Sequence, residues 1–125
     1  MNLTLQAVVK NYAVCKLQRD QEVPTWATKG DLYAITKTSD ELSIVCEEKY
    51  VPEGIKAERN WQVLKIQGPL DFGLVGVLSS LLSPLAAAGI SIFAISTYET
   101  DYILINGEKF KAACKILEDL GNKIS

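Results

Sequence analysis

The sequence predicts an α+β protein made of two related units, 1–60 and 61–125, packed together. Three observations carry this. The second half reads in the order β-α-β-β-α. A block of the first half returns sixty positions later, Tyr33-Ala34-Ile35-Thr36 as Phe93-Ala94-Ile95-Ser96, and the same offset pairs Ile44-Val45 with Leu104-Ile105 and Glu48-Lys49-Tyr50 with Glu108-Lys109-Phe110. The later hairpin is apolar on both faces, with Ile92 and Ala94 on one and Phe93 and Ile95 on the other. A sheet with one wet face alternates, so both faces of this one are expected to be covered.

The elements follow in chain order. Leu3, Leu5, Ala7 and Val9 alternate along a first strand, and Tyr12 to Leu17 follows as a second. A first helix is missing from this unit, since Gln18 to Gly30 contains Pro24 and Trp26 instead of a helical period. A hairpin, Leu32–Thr38 with Leu42–Cys46, is turned by Lys37 to Glu41, and a short helical piece near Glu47 to Val51 stops at Pro52-Glu53-Gly54.

The second unit opens with a strand at Trp61 to Gln67 and a turn at Gly68-Pro69-Leu70-Asp71. Leu74, Leu78, Leu81, Leu82 and Leu85 then share one helical face, with Pro84 inside the helix and Gly89 ending it. Ser91–Thr97 and Thr100–Ile105 form the hairpin. A final helix from Glu108 to Leu120 buries Phe110, Ala113, Cys114 and Leu117 and stops at Gly121. The tail 122–125 leaves little length for a closing strand, and the N-terminal segment is a candidate to supply it.

Composition narrows the function. At 125 residues, 48% hydrophobic and 22% charged, the chain is globular. A net charge of -2, with Lys10, Lys16 and Arg19 scattered, does not suit a protein that neutralises phosphates, so no nucleic-acid partner is expected. Histidine is absent, which removes the commonest general base, the commonest metal ligand and every Ser/His or Cys/His pair. Cys15, Cys46 and Cys114 lie far apart in apolar stretches, without the short spacing of a zinc or redox site. No catalysis, metal or cofactor is therefore expected. An odd number of cysteines and the lack of a cleavable signal at Met1-Asn2-Leu3 suit a cytoplasmic protein. The uncharged run from Phe72 to Tyr98 is long enough to span a bilayer, but its serines, Pro84 and Gly89 read better as two buried elements, so no membrane partner is expected either.

The stretch Ile90-Ser91-Ile92-Phe93-Ala94-Ile95-Ser96-Thr97-Tyr98-Glu99-Thr100-Asp101-Tyr102-Ile103-Leu104-Ile105, preceded by Ser83-Pro84-Leu85-Ala86, resembles the ACT-domain family. The similar branch is the aspartate-kinase-like one, with small bacterial tandem-ACT proteins and the CASTOR arginine sensors of animal cells. The likeness is strong from about Trp61 to Leu117 and weaker from about Leu5 to Glu53. It implies ferredoxin-like βαββαβ units, binding of a free amino acid or similar small ligand at an interface between units, no catalysis, and a homo-oligomer, most simply a dimer.

An amino acid needs an anion receptor facing a cation receptor. The segment Asp71-Phe72-Gly73-Leu74-Val75-Gly76 opens a helix, whose free N–H groups attract a carboxylate while glycine permits close approach. Asp101, opposite Ser96 and Thr97 across the hairpin, would take the ammonium. Matching positions contact ligand in the proteins it resembles. Plainer roles stand beside these: Gly73 and Gly76 as packing glycines, Asp71 as a helix cap, Asp101 as a hairpin backbone acceptor. An amino-acid sensor is thus the leading expectation and an oligomerising module with an empty pocket the alternative.

Overall fold

The computed structural model describes residues 2–67 and 76–125. The chain divides into two compact units, one formed by its first nine residues with 62–125 and the other by Lys10–Trp61. Two long strands belong to both. Strand β1, Thr4–Leu17, begins in one unit and ends in the other, and β4, Ala57–Ile66, runs the opposite way through them. They are neighbours: Thr4 accepts a backbone bond from Gln67 at 2.9 Å and Lys56 accepts one from Lys16 at 2.9 Å.

In the 10–61 unit the strand order is β2-β3-β1-β4, where β2 is Ala34–Lys37 and β3 is Leu42–Glu47. Antiparallel pairing sets Ala13 against Cys46, Cys15 against Ile44 and Leu17 against Leu42. Where a first helix is missing, the chain makes only a 3-10 turn at Thr25–Thr28, and a second 3-10 turn follows β3 at Glu48–Tyr50. Pro24 heads the first turn and its fixed φ is compatible with a start, not with a preceding helix. Ala13, Cys15, Leu17, Ala27, Leu42, Ile44, Cys46 and Val51 are buried together, with Trp26 packed against them.

The other unit contains β4, helix α1 (Val77–Ala87), β5 (Ile92–Ser96), β6 (Asp101–Asn106), helix α2 (Phe110–Asp119) and β7 (Lys123–Ile124). Its strand order is β7-β1-β4-β6-β5. This is the ferredoxin-like order with one exchange. The place beside β4 that the last strand of such a unit normally fills is taken by the start of β1, and the two-residue β7 pairs in parallel outside it, Thr4 with Lys123 and Leu5 with Ile124. The N-terminal segment therefore supplies the strand for which the tail is too short. In the 10–61 unit the start of β4 fills the equivalent place.

Period decides which residues face inward. Val77, Leu81 and Leu85 of α1 and Ala113 and Leu117 of α2 meet Leu64 and Ile66 of β4 and Ile103 and Ile105 of β6. Full burial of each such side chain contributes about 1.5–3 kcal/mol. Val63 and Leu104, at the alternate positions of β4 and β6, are equally buried, but on β5 Ile92, Phe93 and Ile95 are only half-buried and Ala94 is exposed, so the cover expected over both faces of the hairpin is partial. Each helix closes with a pair of reversed bonds. Gly89 donates to Ala86 at 3.0 Å and Ile90 to Leu85 at 2.9 Å; Gly121 donates to Glu118 at 2.9 Å and Asn122 to Leu117 at 3.2 Å.

Two readings of the sequence change. Leu3–Val9 and Tyr12–Leu17 are expected as separate strands, but β1 is continuous through Lys10 and Asn11. Neighbouring strands hold its backbone there, so polar side chains do not interrupt it. The two hairpins also correspond at a spacing of fifty-nine, not sixty. Lys37 pairs with Leu42 and Ser96 with Asp101, each across a four-residue turn. Both turns are tied by a threonine: Thr38 N–H donates to Glu41 O at 2.9 Å, and Thr97 N–H to Thr100 O at 2.8 Å. The threonine hydroxyls accept bonds from Glu41 N–H and Thr100 N–H.

Candidate functional site

The end of the second hairpin gathers three of the expected site residues. Ser96 closes β5, Asp101 opens β6, and the two are cross-strand partners. The Ser96 hydroxyl donates to Asp101 Oδ1 at 2.5 Å. Thr97 bonds Thr100 across the turn through both its N–H and its hydroxyl, at 2.8 and 3.0 Å. Thr100, 6% exposed, donates its own hydroxyl to Ile66 O at 2.5 Å. That bond fastens the turn of the hairpin to the last residue of β4. The half-buried Asp101 carboxylate is therefore held on a rigid frame, and among the described residues Ser96 is its bonding partner.

Gly76 stands at the start of α1, exposed, with φ 80 and its carbonyl accepting from Ser80 N–H at 2.9 Å. Among the described residues no side chain caps this helix start and no hydrogen bond joins Gly76 to the hairpin. Asp71, Phe72, Gly73, Leu74 and Val75, with the expected capping role of Asp71, lie outside the described residues.

A second polar group, in the 10–61 unit, went unnoticed in the sequence. Lys10, Asn11, Glu47, Glu48 and Lys49 line an open concavity of about 280 Å³. The Glu47 side chain is only 4% exposed, with Lys10 Nζ 3.8 Å from Oε2 and Lys49 Nζ 3.8 Å from Oε1. Lys10 also stands 3.7 Å from Asp31. Glu48 is engaged by Asn60 N–H at 2.7 Å. Behind Glu47 the chain passes at Gly30, where a Cβ would overlap Oε2. The signal was present but weak: Glu47 follows the apolar run Ile44-Val45-Cys46, yet Glu-Glu-Lys reads as solvated surface.

Cys15 and Cys46, buried on adjacent strands, share a thiol hydrogen bond. Donating it holds the Cys46 thiol well above the usual range, helped by burial, while accepting it lowers Cys15, with Arg59 assisting. Burial, with Glu118 nearby, raises Cys114. No group of three or more His, Cys, Asp or Glu among the described residues could hold a metal ion, and no described helix is long and apolar enough to cross a membrane.

The architecture defines the class, an α+β chain with a ferredoxin-like unit whose hairpin end carries a fixed acid. A family model of the ACT domain matches residues 56–119, and the chain belongs to that family. A second model, for the N-terminal domain of another family, matches residues 10–54. The crystal structure of protein Atu0741 from Agrobacterium tumefaciens is 31% identical and superposes with a TM-score of 0.95, covering 100% of this chain and 93% of that one. The ligand-free regulatory subunit of aspartate kinase from Thermus thermophilus shares the fold at 13% identity and a TM-score of 0.64, covering 95% of this chain and 98% of that one. The cytosolic arginine sensor for mTORC1 subunit 1 of Bos taurus is 28% identical over 88 residues, 58% of this chain and 26% of that protein. The chain thus spans only part of the length of the curated relatives it matches.

Proposed function

We propose that this protein is a regulatory amino-acid sensor, not an enzyme, acting in the cytoplasm as a tandem pair of ACT-like units, 1–60 and 61–125. The ligand would bind at an interface between units, its ammonium at Asp101 with Ser96 and Thr97, and its carboxylate at the 71–76 segment. The supporting observation is the Asp101 carboxylate, fixed by Ser96 on a hairpin that Thr100 fastens to β4. A charge held on a rigid frame costs little to preorganise for a ligand. Relatives named an arginine sensor and a regulatory subunit of a kinase favour regulation over catalysis.

The test is thermal unfolding with each of the twenty amino acids. A ligand that binds only the folded chain adds about 2.7 kcal/mol at a hundred times its Kd. For a chain of this size that raises Tm on the order of 10 °C. If no amino acid moves the transition, the sensor reading fails.

A homodimer completes the proposal. Strand β5 ends the strand order, and its Ile92, Phe93 and Ile95 are only partly buried, which makes it a pairing edge. Light scattering should give twice the chain mass at micromolar concentration, and a monomer mass would remove the dimer while leaving ligand binding to be judged by the melt.

A further inference from the structure

We infer that the concavity around Glu47 is a second ligand site, one that takes a small zwitterion whose ammonium and carboxylate are separated by a single carbon. The inference does not rest on the reading of Asp101, since this site lies within 10–61 and shares no residue with the hairpin site.

Glu47 is a buried carboxylate held by ion pairs at long range. A buried carboxylate is ordinarily stabilised by hydrogen bonds, because desolvation costs several kcal/mol per ion. Glu47 is 4% exposed, yet its nearest cations stand at 3.8 Å, beyond hydrogen-bond reach. It is the residue that precedes the 3-10 turn at Glu48–Tyr50, but its side chain caps no backbone N–H there. The two lysines balance its charge without hydrogen-bonding it, and all three residues line the same cavity.

The surrounding charges select the visitor. A simple cation would meet Lys10 and Lys49, and a simple anion would meet Glu47. A zwitterion satisfies both: its ammonium donates to Glu47, and its own carboxylate accepts from Lys10 and Lys49, the two cations that flank Glu47. The second acid is less available, since Glu48 is bonded to Asn60 N–H at 2.7 Å. A volume of about 280 Å³ suits a ligand of few heavy atoms.

Glycine is the probe, because it carries the paired charges and no side chain. The isotope-labelled full chain is titrated with glycine and followed by amide NMR shifts. Saturable shifts are expected at Lys10, Asn11 and Glu47–Lys49. They should vanish in Glu47→Gln, a weakening of at least about thirtyfold. Lys49→Met should weaken them by about tenfold. Because the Lys49 side chain is 67% exposed, this variant should fold whatever Glu47→Gln does. Asp101→Asn should leave them unchanged, which separates this site from the one proposed at the hairpin. The inference is overturned if those amides show no saturable shift up to about 100 mM glycine. Equal binding by both variants, or methylamine or acetate alone matching glycine, would overturn it too.

Discussion

Asp101→Asn is expected to abolish the amino-acid-dependent rise in Tm while leaving the unliganded Tm nearly unchanged. The two halves of that result have separate causes. Among the described residues Asp101 accepts its bond from the Ser96 hydroxyl, and an asparagine oxygen can accept the same bond. The hairpin keeps its other ties, Thr97 to Thr100 and Thr100 to Ile66 O, because neither uses the carboxylate. In the complex the loss is different in kind: the ligand's ammonium is left desolvated against a neutral amide. Removing one partner of a buried charged bond costs roughly 2–5 kcal/mol, as much as or more than the roughly 2.7 kcal/mol that a hundredfold excess of ligand supplies. A shift on the order of 10 °C should fall to almost nothing in a fluorescence melt. An undiminished shift in the variant would place the ligand elsewhere, although the sensing function would survive.

Gly30→Ala is expected to destabilise the chain by about 2–4 kcal/mol, against about 1–2 kcal/mol for Gly89→Ala. Both glycines have positive φ, 88 and 74, so both variants carry the cost of a left-handed alanine. They differ in what the new methyl meets. Nothing lies within 4 Å at Gly89, whereas at Gly30 the methyl overlaps Glu47 Oε2 and comes to 3.2 Å from its Cδ. On a surface the end of a glutamate would swing away cheaply. This one is buried between Lys10 and Lys49, and displacing it separates a charge from both partners. Urea midpoints at constant m-value would measure the difference. In a Glu47→Ala background Gly30→Ala should cost no more than Gly89→Ala, since the coupling has been removed. Equal costs for the two glycine variants in the wild-type background would refute the argument.

Several parts of this architecture are legible residue by residue. Helix α2 shows its buried stripe, Ala113 and Leu117 with Phe110 and Cys114 packed beside it, and its stop at Gly121. The β5–β6 hairpin announces itself through a polar turn around Tyr98-Glu99 between two apolar runs, although the paired register makes that turn four residues long, and a polar turn likewise marks β2–β3. The candidate acid at Asp101 stands out for a related reason, as a charge that opens an otherwise apolar strand. The loss of the first helix before β2 is equally plain, since Pro24 interrupts any helical period there.

Other features depend on partners that local pattern does not name. Lys10 and Asn11 look like a break between two strands, yet β1 continues because flanking strands satisfy its backbone. Residue matching prefers an offset of sixty for the hairpins, while the hydrogen-bond register obeys the turn and gives fifty-nine. The exchange that sets the start of β1 beside β4 joins segments some sixty residues apart, and alternation alone cannot say which of several apolar strands will be neighbours. Glu47 is the sharpest case. The sequence reads it as the start of a short helical piece, whereas it ends β3, and its burial follows from Gly30 passing behind it and two lysines arriving from β1 and from the turn after β3. Periodicity and turn chemistry act between near neighbours, so most elements and the glycine stops of both helices can be read residue by residue, and Asp101 can be marked as a candidate acid. Strand order, register and the environment of a buried charge arise from contacts between distant segments, which local pattern does not carry.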